Sequence, residues 1–156
     1  MKHRNAHPTL AVLCTSVLLA CLAPAGQAAT CSTITVAGNW GFTLTGTLLM
    51  PSGPVPAAAV IRGSADLEGH LTGTEARSVG GDYAEETFKG KWTVNADCTG
   101  RATVSFFETG QLVRVSVLTI VFDNSSEEVR IVQKSLTLPD GVTQLPVVIT
   151  AEGKKQ

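Results

Sequence analysis

The sequence predicts an all-β fold, a closed antiparallel up-and-down barrel of about eight strands behind an N-terminal signal peptide. From Trp40 onward, apolar and polar residues alternate with a period of two, and Gly and Pro punctuate the chain about every ten residues. No apolar stripe recurs at helical spacing. Short connections favour a meander, and pairing of its last strand with its first would remove both exposed edges. An open sandwich is the alternative, although its crossovers need longer connections.

The first predicted strand, Trp40 to Met50, shows the alternation most clearly. Trp40 and Phe42 share one face with further apolar residues, and a row of threonines occupies the other. One face is therefore expected to be core and the other to face water. A turn from Pro51 to Pro56 leads to a second strand from Ala57 to Ala65.

Three more strands follow by the same alternation. Between turns rich in Gly and Asp, they run from His70 to Val79, from Glu86 to Val94 and from Arg101 to Glu108. In the second of these, Phe88 and Trp92 share one face and lysines the other.

The sixth predicted strand, Leu112 to Phe122, is apolar on both faces, so both faces must be covered. Cover for the outer face would come from a second copy of the chain, which predicts a homo-oligomer, or from a loop outside the sheet. The residues assigned to that outer face are Val113, Val115, Val117 and Val121. Strands from Glu127 to Ser135 and from Leu145 to Ala151 complete the barrel.

Residues 1–28 have the pattern of an export signal. Lys2 and Arg4 precede an apolar run from Leu10 to Leu22 that is too short for a transmembrane span. The small residues of Gly26-Gln27-Ala28 fit a cleavage site. The pattern predicts a secreted or periplasmic protein whose single β-barrel domain comprises residues 29–156.

The four cysteines separate into two pairs. Cys14 and Cys21 lie in the predicted signal. The stretch Leu18-Leu19-Ala20-Cys21 resembles a bacterial lipobox, so a lipoprotein anchored through Cys21 is the alternative to free secretion. Cys31 and Cys98 remain in the domain, and an even pair in an oxidising compartment predicts a disulfide. Two buried free thiols are the other interpretation.

Charge and motifs exclude several classes of function. The chain has 12 Lys and Arg against 13 Asp and Glu, so nothing in its charge favours nucleic acid or an anionic membrane as a partner. It contains no Gly-x-Ser-x-Gly elbow and no phosphate loop, and no catalytic residue, cofactor or metal is predicted. His70 is interpreted as a solvated turn residue. Solubility at turns is the interpretation for Asp66, Glu68, Asp82, Glu85 and Glu86.

Strand parity places polar residues on faces that are otherwise apolar. Glu75 and Arg77 share one face of a strand with apolar residues, and Arg114 and Gln133 each share a face with apolar residues on two other strands. If these faces point inward, the polar groups must be paired or must meet a ligand. The alternative is that Glu75 pairs with an arginine at the barrel rim, or that bulges expose all of them.

The inward aromatic residues complete the candidate ligand site. Together with Glu75, Arg114 and Gln133, the candidate ligand-binding residues are Trp40, Phe42, Phe88 and Trp92. Such a site would bind a small apolar or amphipathic molecule. The aromatic rings can equally be core.

Several segments resemble a known group of proteins. They are Asn39-Trp40-Gly41-Phe42, the segment from Thr87 to Gly100 that contains Trp-Thr-Val-Asn-Ala-Asp-Cys-Thr-Gly, and Val121-Phe122-Asp123-Asn124 with the strand that follows it. These are similar to small exported bacterial proteins with a calycin-like or allene-oxide-cyclase-like barrel. The resemblance implies a barrel and carries no catalytic residues, because none are established for the group.

Two further functions stay open at this point. One is a cofactor-free isomerase or cyclase, in which Glu75 and Arg114 would be the first candidates for acid–base or electrostatic roles. The other is a structural surface protein with a filled interior. The volume of the interior cavity distinguishes a binding barrel from a filled one.

Overall fold

The structure is a computed structural model that describes residues 30–123 and 125–156. The predicted signal peptide, with the alternative anchor at Cys21, lies outside these residues. The described chain forms one short helix, α1 (Thr33–Val36), and the strands β1 (Gly38–Met50), β2 (Gly53–Ala65), β3 (His70–Val79), β4 (Asp82–Val94), β5 (Thr99–Glu108), β6 (Gln111–Phe122), β7 (Glu128–Thr137), β8 (Gln144–Leu145) and β9 (Val147–Lys155).

The strands close into one antiparallel barrel. β1 to β7 pair with their neighbours in chain order, and β9 pairs with both β7 and β1, which joins the two ends of the sheet. The two-residue strand β8 pairs with the end of β7, and Pro146 separates it from β9. The prediction of a closed barrel of eight main strands is therefore confirmed.

Two glycines allow aromatic rings to cross neighbouring strands inside the barrel. A Cβ at Gly73 would lie 2.5 Å from Cζ of Phe88, and a Cβ at Gly153 would lie 2.4 Å from Cδ1 of Phe42. Only a residue without a side chain fits so close to the rings. These glycines let large aromatic residues fill a narrow interior.

α1 covers one end of the barrel, which we call the closed end. This end also contains the β2–β3, β4–β5 and β6–β7 turns. Val36 is fully buried, and its carbonyl accepts a hydrogen bond from Nε1 of Trp40 at 2.9 Å. The Ser32 side chain caps α1 by accepting from the backbone N–H of Thr35. α1 was not predicted, because four residues are too few to show a helical period.

A disulfide ties this cover to the barrel. Cys31, just before α1, is bonded to Cys98 in the β4–β5 turn, which confirms the predicted bridge. Below it, Trp40, Trp92 and Phe122 pack edge to face, with ring centroids 5.4 to 6.1 Å apart. The closed end is thus sealed by a covalent bond and by dense aromatic packing.

A β-bulge changes the predicted outer face of β6. Phe106 pairs with Arg114 and Phe107 with Leu112, so Val113 has no partner opposite it on β5. Val113 lines the barrel interior. The prediction that it belongs to the outer face was wrong, because the bulge breaks strict alternation.

Association through the other three valines of that face stays a prediction. Val115 and Val117 are half-buried, whereas Val121 is exposed. Within the two described segments, no helix is long and apolar enough to cross a membrane.

Replacing both Cys31 and Cys98 with Ser should lower the free energy of unfolding by about 4 kcal/mol, because the bridge closes a loop across 67 residues of sequence. Denaturant titration of wild type and variant without reductant measures the difference. Titration in excess reductant is the control, and under that condition the two proteins should have the same free energy of unfolding. Equal stability without reductant would contradict a stabilising bridge.

Candidate functional site

The barrel interior contains two adjoining cavities that the described residues define. The aromatic cavity, of about 70 Å³, lies toward the closed end and has Trp40, Phe42, Phe88 and Trp92 in its wall. The charged cavity, of about 200 Å³, lies toward the opposite end, which we call the open end. Residues common to both walls are Leu44, Gln133 and Ile149.

The aromatic cavity is small for a ligand. A cavity of about 150 Å³ is known to hold one benzene molecule, and one water occupies about 30 Å³. At about 70 Å³, the aromatic cavity has less than half of the volume that holds one benzene molecule. Trp40 and Trp92 are almost completely buried and touch each other, so packing accounts for their positions.

Four charged side chains line the charged cavity, and we call them the charged cluster: Glu75, Arg77, Glu86 and Arg114. Alternation along β3 turns Glu75 and Arg77 to the same inner face, as the sequence predicted. Glu86 on β4 is the register partner of Glu75, and Arg114 reaches both from β6.

Arg114 holds the two glutamates together. Its Nη2 donates to both carboxylate oxygens of Glu75 at 3.0 Å, and its Nη1 donates to Oε2 of Glu86. The side chains of Glu75 and Glu86 are 3% and 0% exposed. Like charges directly opposite each other destabilise a sheet, and a buried carboxylate needs a partner. Arg114 satisfies both requirements at once.

Arg77 completes the cluster from the other side of Glu86. Its Nε donates to Oε1 of Glu86 at 2.5 Å, and its Nη2 lies 3.9 Å from Oε2 of Glu108. Burial works against the charge of Arg77, but the hydrogen bond and the charge of Glu86 outweigh it, so the pKa of Arg77 is raised. Two cations therefore face two buried carboxylates.

Burial has the largest effect on Glu75 and raises the pKa of its carboxyl. The positive charge of Arg114 opposes this shift, the negative charge of Glu86 adds to it, and Arg77 opposes it more weakly. Burial therefore favours the protonated form of Glu75 relative to that of an exposed glutamate.

One face of the Arg114 guanidinium lies against an aromatic ring. Its Cζ is 3.8 Å from the centroid of Phe106, a distance at which cation–π attraction is effective. Phe106 is buried and does not line the charged cavity, whereas Arg114 does.

Gln133 and Ser116 form the polar part of the wall near the boundary of the two cavities. Nε2 of Gln133 donates to the hydroxyl oxygen of Ser116 at 3.1 Å and to the carbonyl of Ser135 at 3.3 Å. Both side chains are buried. The hydroxyl hydrogen of Ser116 can still donate to a group in the cavity.

The structure brings together part of the predicted site and adds to it. Glu75, Arg114 and Gln133 share the charged cavity, whereas the four predicted aromatic residues line the aromatic cavity. Ser116 was not among the predicted site residues, and Glu86 was interpreted as a solvated turn residue. Alternation along the strand could have identified Glu86, because Glu86 lies on the same face as Phe88.

The other titratable candidates lie apart from the cavities. His70 is half-exposed, and its Nδ1 lies 2.9 Å from a carboxylate oxygen of Asp66 on the same turn. No group of three or more metal-ligating side chains occurs within residues 30–123 and 125–156.

Two solved structures of β-barrels are similar to this chain. A redesigned beta barrel, mFAP1, bound to DFHBI shares 18% identity over 80% of this chain and 98% of its own, with a TM-score of 0.49. EF1p2_mFAP2b, also bound to DFHBI, shares 12% identity over 81% of this chain and 100% of its own, with a TM-score of 0.52. Neither protein-family models nor curated proteins match the chain. The likeness is to a β-barrel, and the resemblance to exported calycin-like proteins stays a prediction.

We expect Glu75→Gln to remove a pH dependence of stability. When the pKa of a carboxyl is raised by folding, the native state keeps a proton that the unfolded state has lost, so stability falls as the pH rises. Above pH 4.5, the ordinary value for Glu, wild type should lose stability relative to Glu75→Gln, by at most about 1.4 kcal/mol per pH unit. Denaturant titrations between about pH 4 and pH 8 measure this loss.

Glu152→Gln, which changes an exposed carboxyl on β9, is the matched control. Its free energy of unfolding should change with pH in the same way as that of wild type. Asp123, whose pKa is lowered to about 2 mainly by a hydrogen bond from Ser125, is unchanged in all three proteins and contributes equally to each titration. A difference between wild type and Glu75→Gln that is constant, or that shrinks as the pH rises, would contradict the raised pKa.

Proposed function

We propose that this protein binds a compact amphipathic small molecule in the charged cavity, outside the cytoplasm. The observation that supports this most strongly is a buried charged cluster facing an unfilled apolar space of about 200 Å³. The larger apolar residues of that wall are Leu44, Leu48, Val79, Val113, Leu136, Leu138, Leu145 and Ile149. An apolar wall with a few convergent polar groups is typical of small-molecule sites.

Stability alone gives little reason for the charged cluster. Burying ion pairs carries a large desolvation cost, and replacing them with apolar residues of similar volume is often neutral or stabilising. A barrel with a structural role would be expected to fill this space with side chains. Charges beside an empty volume therefore favour a ligand over a structural role.

The volume limits the size of the ligand. About 200 Å³ exceeds the cavity of about 150 Å³ that holds benzene, and it is below the range of about 300 to 1,000 Å³ typical of drug-sized ligands. A molecule of one or two rings fits, whereas a long acyl chain would extend out of the open end.

The contacts favour binding over acid–base catalysis. Arg114 donates to both oxygens of Glu75, which leaves that carboxylate poorly placed to take a proton from a substrate. EF1p2_mFAP2b, which has the same barrel architecture, is itself described as bound to the small molecule DFHBI.

The proposed location rests on the disulfide and on the leader. A bridge such as Cys31–Cys98 persists in oxidising compartments, which is compatible with an extracellular or periplasmic protein. The signal pattern of residues 1–28 points the same way.

Filling the charged cavity should abolish binding without unfolding the protein. Ala59 is buried, lines the cavity, and has Leu44 and Arg77 as register neighbours. Ala59→Leu adds three carbons to a space that can hold them, so stability should be unchanged or slightly higher. Isothermal titration with 2-naphthol and with its saturated counterpart decahydro-2-naphthol measures binding to wild type and variant.

Val60→Leu is the control, because Val60 is exposed on the outer face of the same strand and does not line the charged cavity. It should bind both compounds as wild type does. Failure of wild type to bind either compound, or undiminished binding by Ala59→Leu, would contradict the proposed site.

A further inference from the structure

We infer, on the basis of the proposed function, that the ligand is a flat aromatic molecule that stacks on the guanidinium of Arg114, on the side opposite Phe106. Most of the binding capacity of Arg114 is already occupied. A guanidinium offers two edges for hydrogen bonds and two flat faces for stacking.

The terminal nitrogens of Arg114 are already engaged. Nη1 donates to Glu86, and Nη2 donates to both oxygens of Glu75 at 3.0 Å. An incoming carboxylate or phosphate would have to compete with two buried carboxylates that lie closer. Arg114 is therefore a poor site for the forked recognition of an anion.

One flat face is also taken. Phe106 lies below Cζ of Arg114, 3.8 Å away, and this ring has no part in the cavity wall. Arg114 does line the cavity, and its side chain is 15% exposed. What it presents to the cavity is thus the face opposite Phe106.

A guanidinium face is weakly hydrated and attracts the π-electrons of an aromatic ring. Glu75 and Glu86 hold this face in a fixed orientation, so little side-chain entropy is lost when a ring stacks on it. The ligand would form the third layer of a stack, with Phe106 below and Arg114 between them.

Neighbouring groups specify the rest of the ligand. The charged cluster has two cations and two carboxylates, so it gives no net attraction to a charged ligand. Arg77 lines the same cavity, and its side chain is 19% exposed. The distance from its Nη2 to Oε2 of Glu108 is 3.9 Å, which is too long for a hydrogen bond. A neutral acceptor on the ring, such as a phenolic hydroxyl or a carbonyl, would receive a hydrogen bond there. We therefore expect an uncharged one- or two-ring aromatic molecule with one polar substituent.

The direct test compares 2-naphthol with decahydro-2-naphthol on wild-type protein by isothermal titration. Both have the same carbon skeleton and hydroxyl, and the saturated compound buries no less apolar surface, so burial alone gives the aromatic compound no advantage. Stacking on Arg114 should make 2-naphthol bind about tenfold more tightly. Equal affinity, or tighter binding of the saturated compound, would overturn this inference and leave the proposed function in place. Binding of neither compound would overturn both.

A second measurement locates the ring. In wild-type protein, 2-naphthol stacked on the free face should shift the Arg114 Nε–H proton resonance upfield, whereas decahydro-2-naphthol should not. Arg114→Lys keeps the charge without the flat face, and it should lose the aromatic preference; Arg130→Lys, on the exposed surface of β7, should retain it. An unshifted Arg114 resonance at saturating 2-naphthol would contradict the stack even if Arg114→Lys does not fold.

Discussion

Closing an antiparallel sheet into a barrel sends every second side chain into a single interior, and in this protein two glutamates and two arginines are among them. Glu75 and Glu86 face each other as register partners on adjacent strands. Buried carboxylates in that arrangement repel each other unless a cation lies between them. Arg114 provides it from β6, and Arg77 supports Glu86 from the other side. These four residues are paired mainly with one another, and an unfilled space of about 200 Å³ lies beside them.

The two ends of the barrel have different roles in this arrangement. At the closed end, α1, the disulfide and the rings of Trp40, Trp92 and Phe122 exclude water and fix the strands. Toward the open end, leucine side chains surround the charged cluster and leave space. The rigid end positions the strands, and the strands position Arg114 between Phe106 and the cavity. A preorganised polar group inside an apolar wall gives orientation to a ligand that apolar contact alone would leave free to rotate.

Much of this could be predicted from alternation along the chain. Period two put Glu75, Arg77, Arg114 and Gln133 on faces that are otherwise apolar, and the need to remove both exposed edges paired the last strand with the first. Alternation does not locate a bulge, so Val113 was assigned to the wrong face, and it does not reveal a helix as short as α1. Glu86 was missed because acidic residues near a turn are usually solvated. The division into two cavities depends on how side chains pack across the barrel, which strand parity does not contain.

The most direct test of this account is the mobility of the Arg114 guanidinium in the ligand-free protein, observed by NMR of its nitrogen-bound protons. If Glu75 and Glu86 hold its terminal nitrogens and Phe106 covers one face, rotation about the Nε–Cζ bond should be slow. Separate Nη–H resonances, with nuclear Overhauser contacts to the Phe106 ring, are the predicted result. A single averaged Nη resonance, such as a solvent-exposed arginine gives, would show that the charged cluster does not organise the barrel interior.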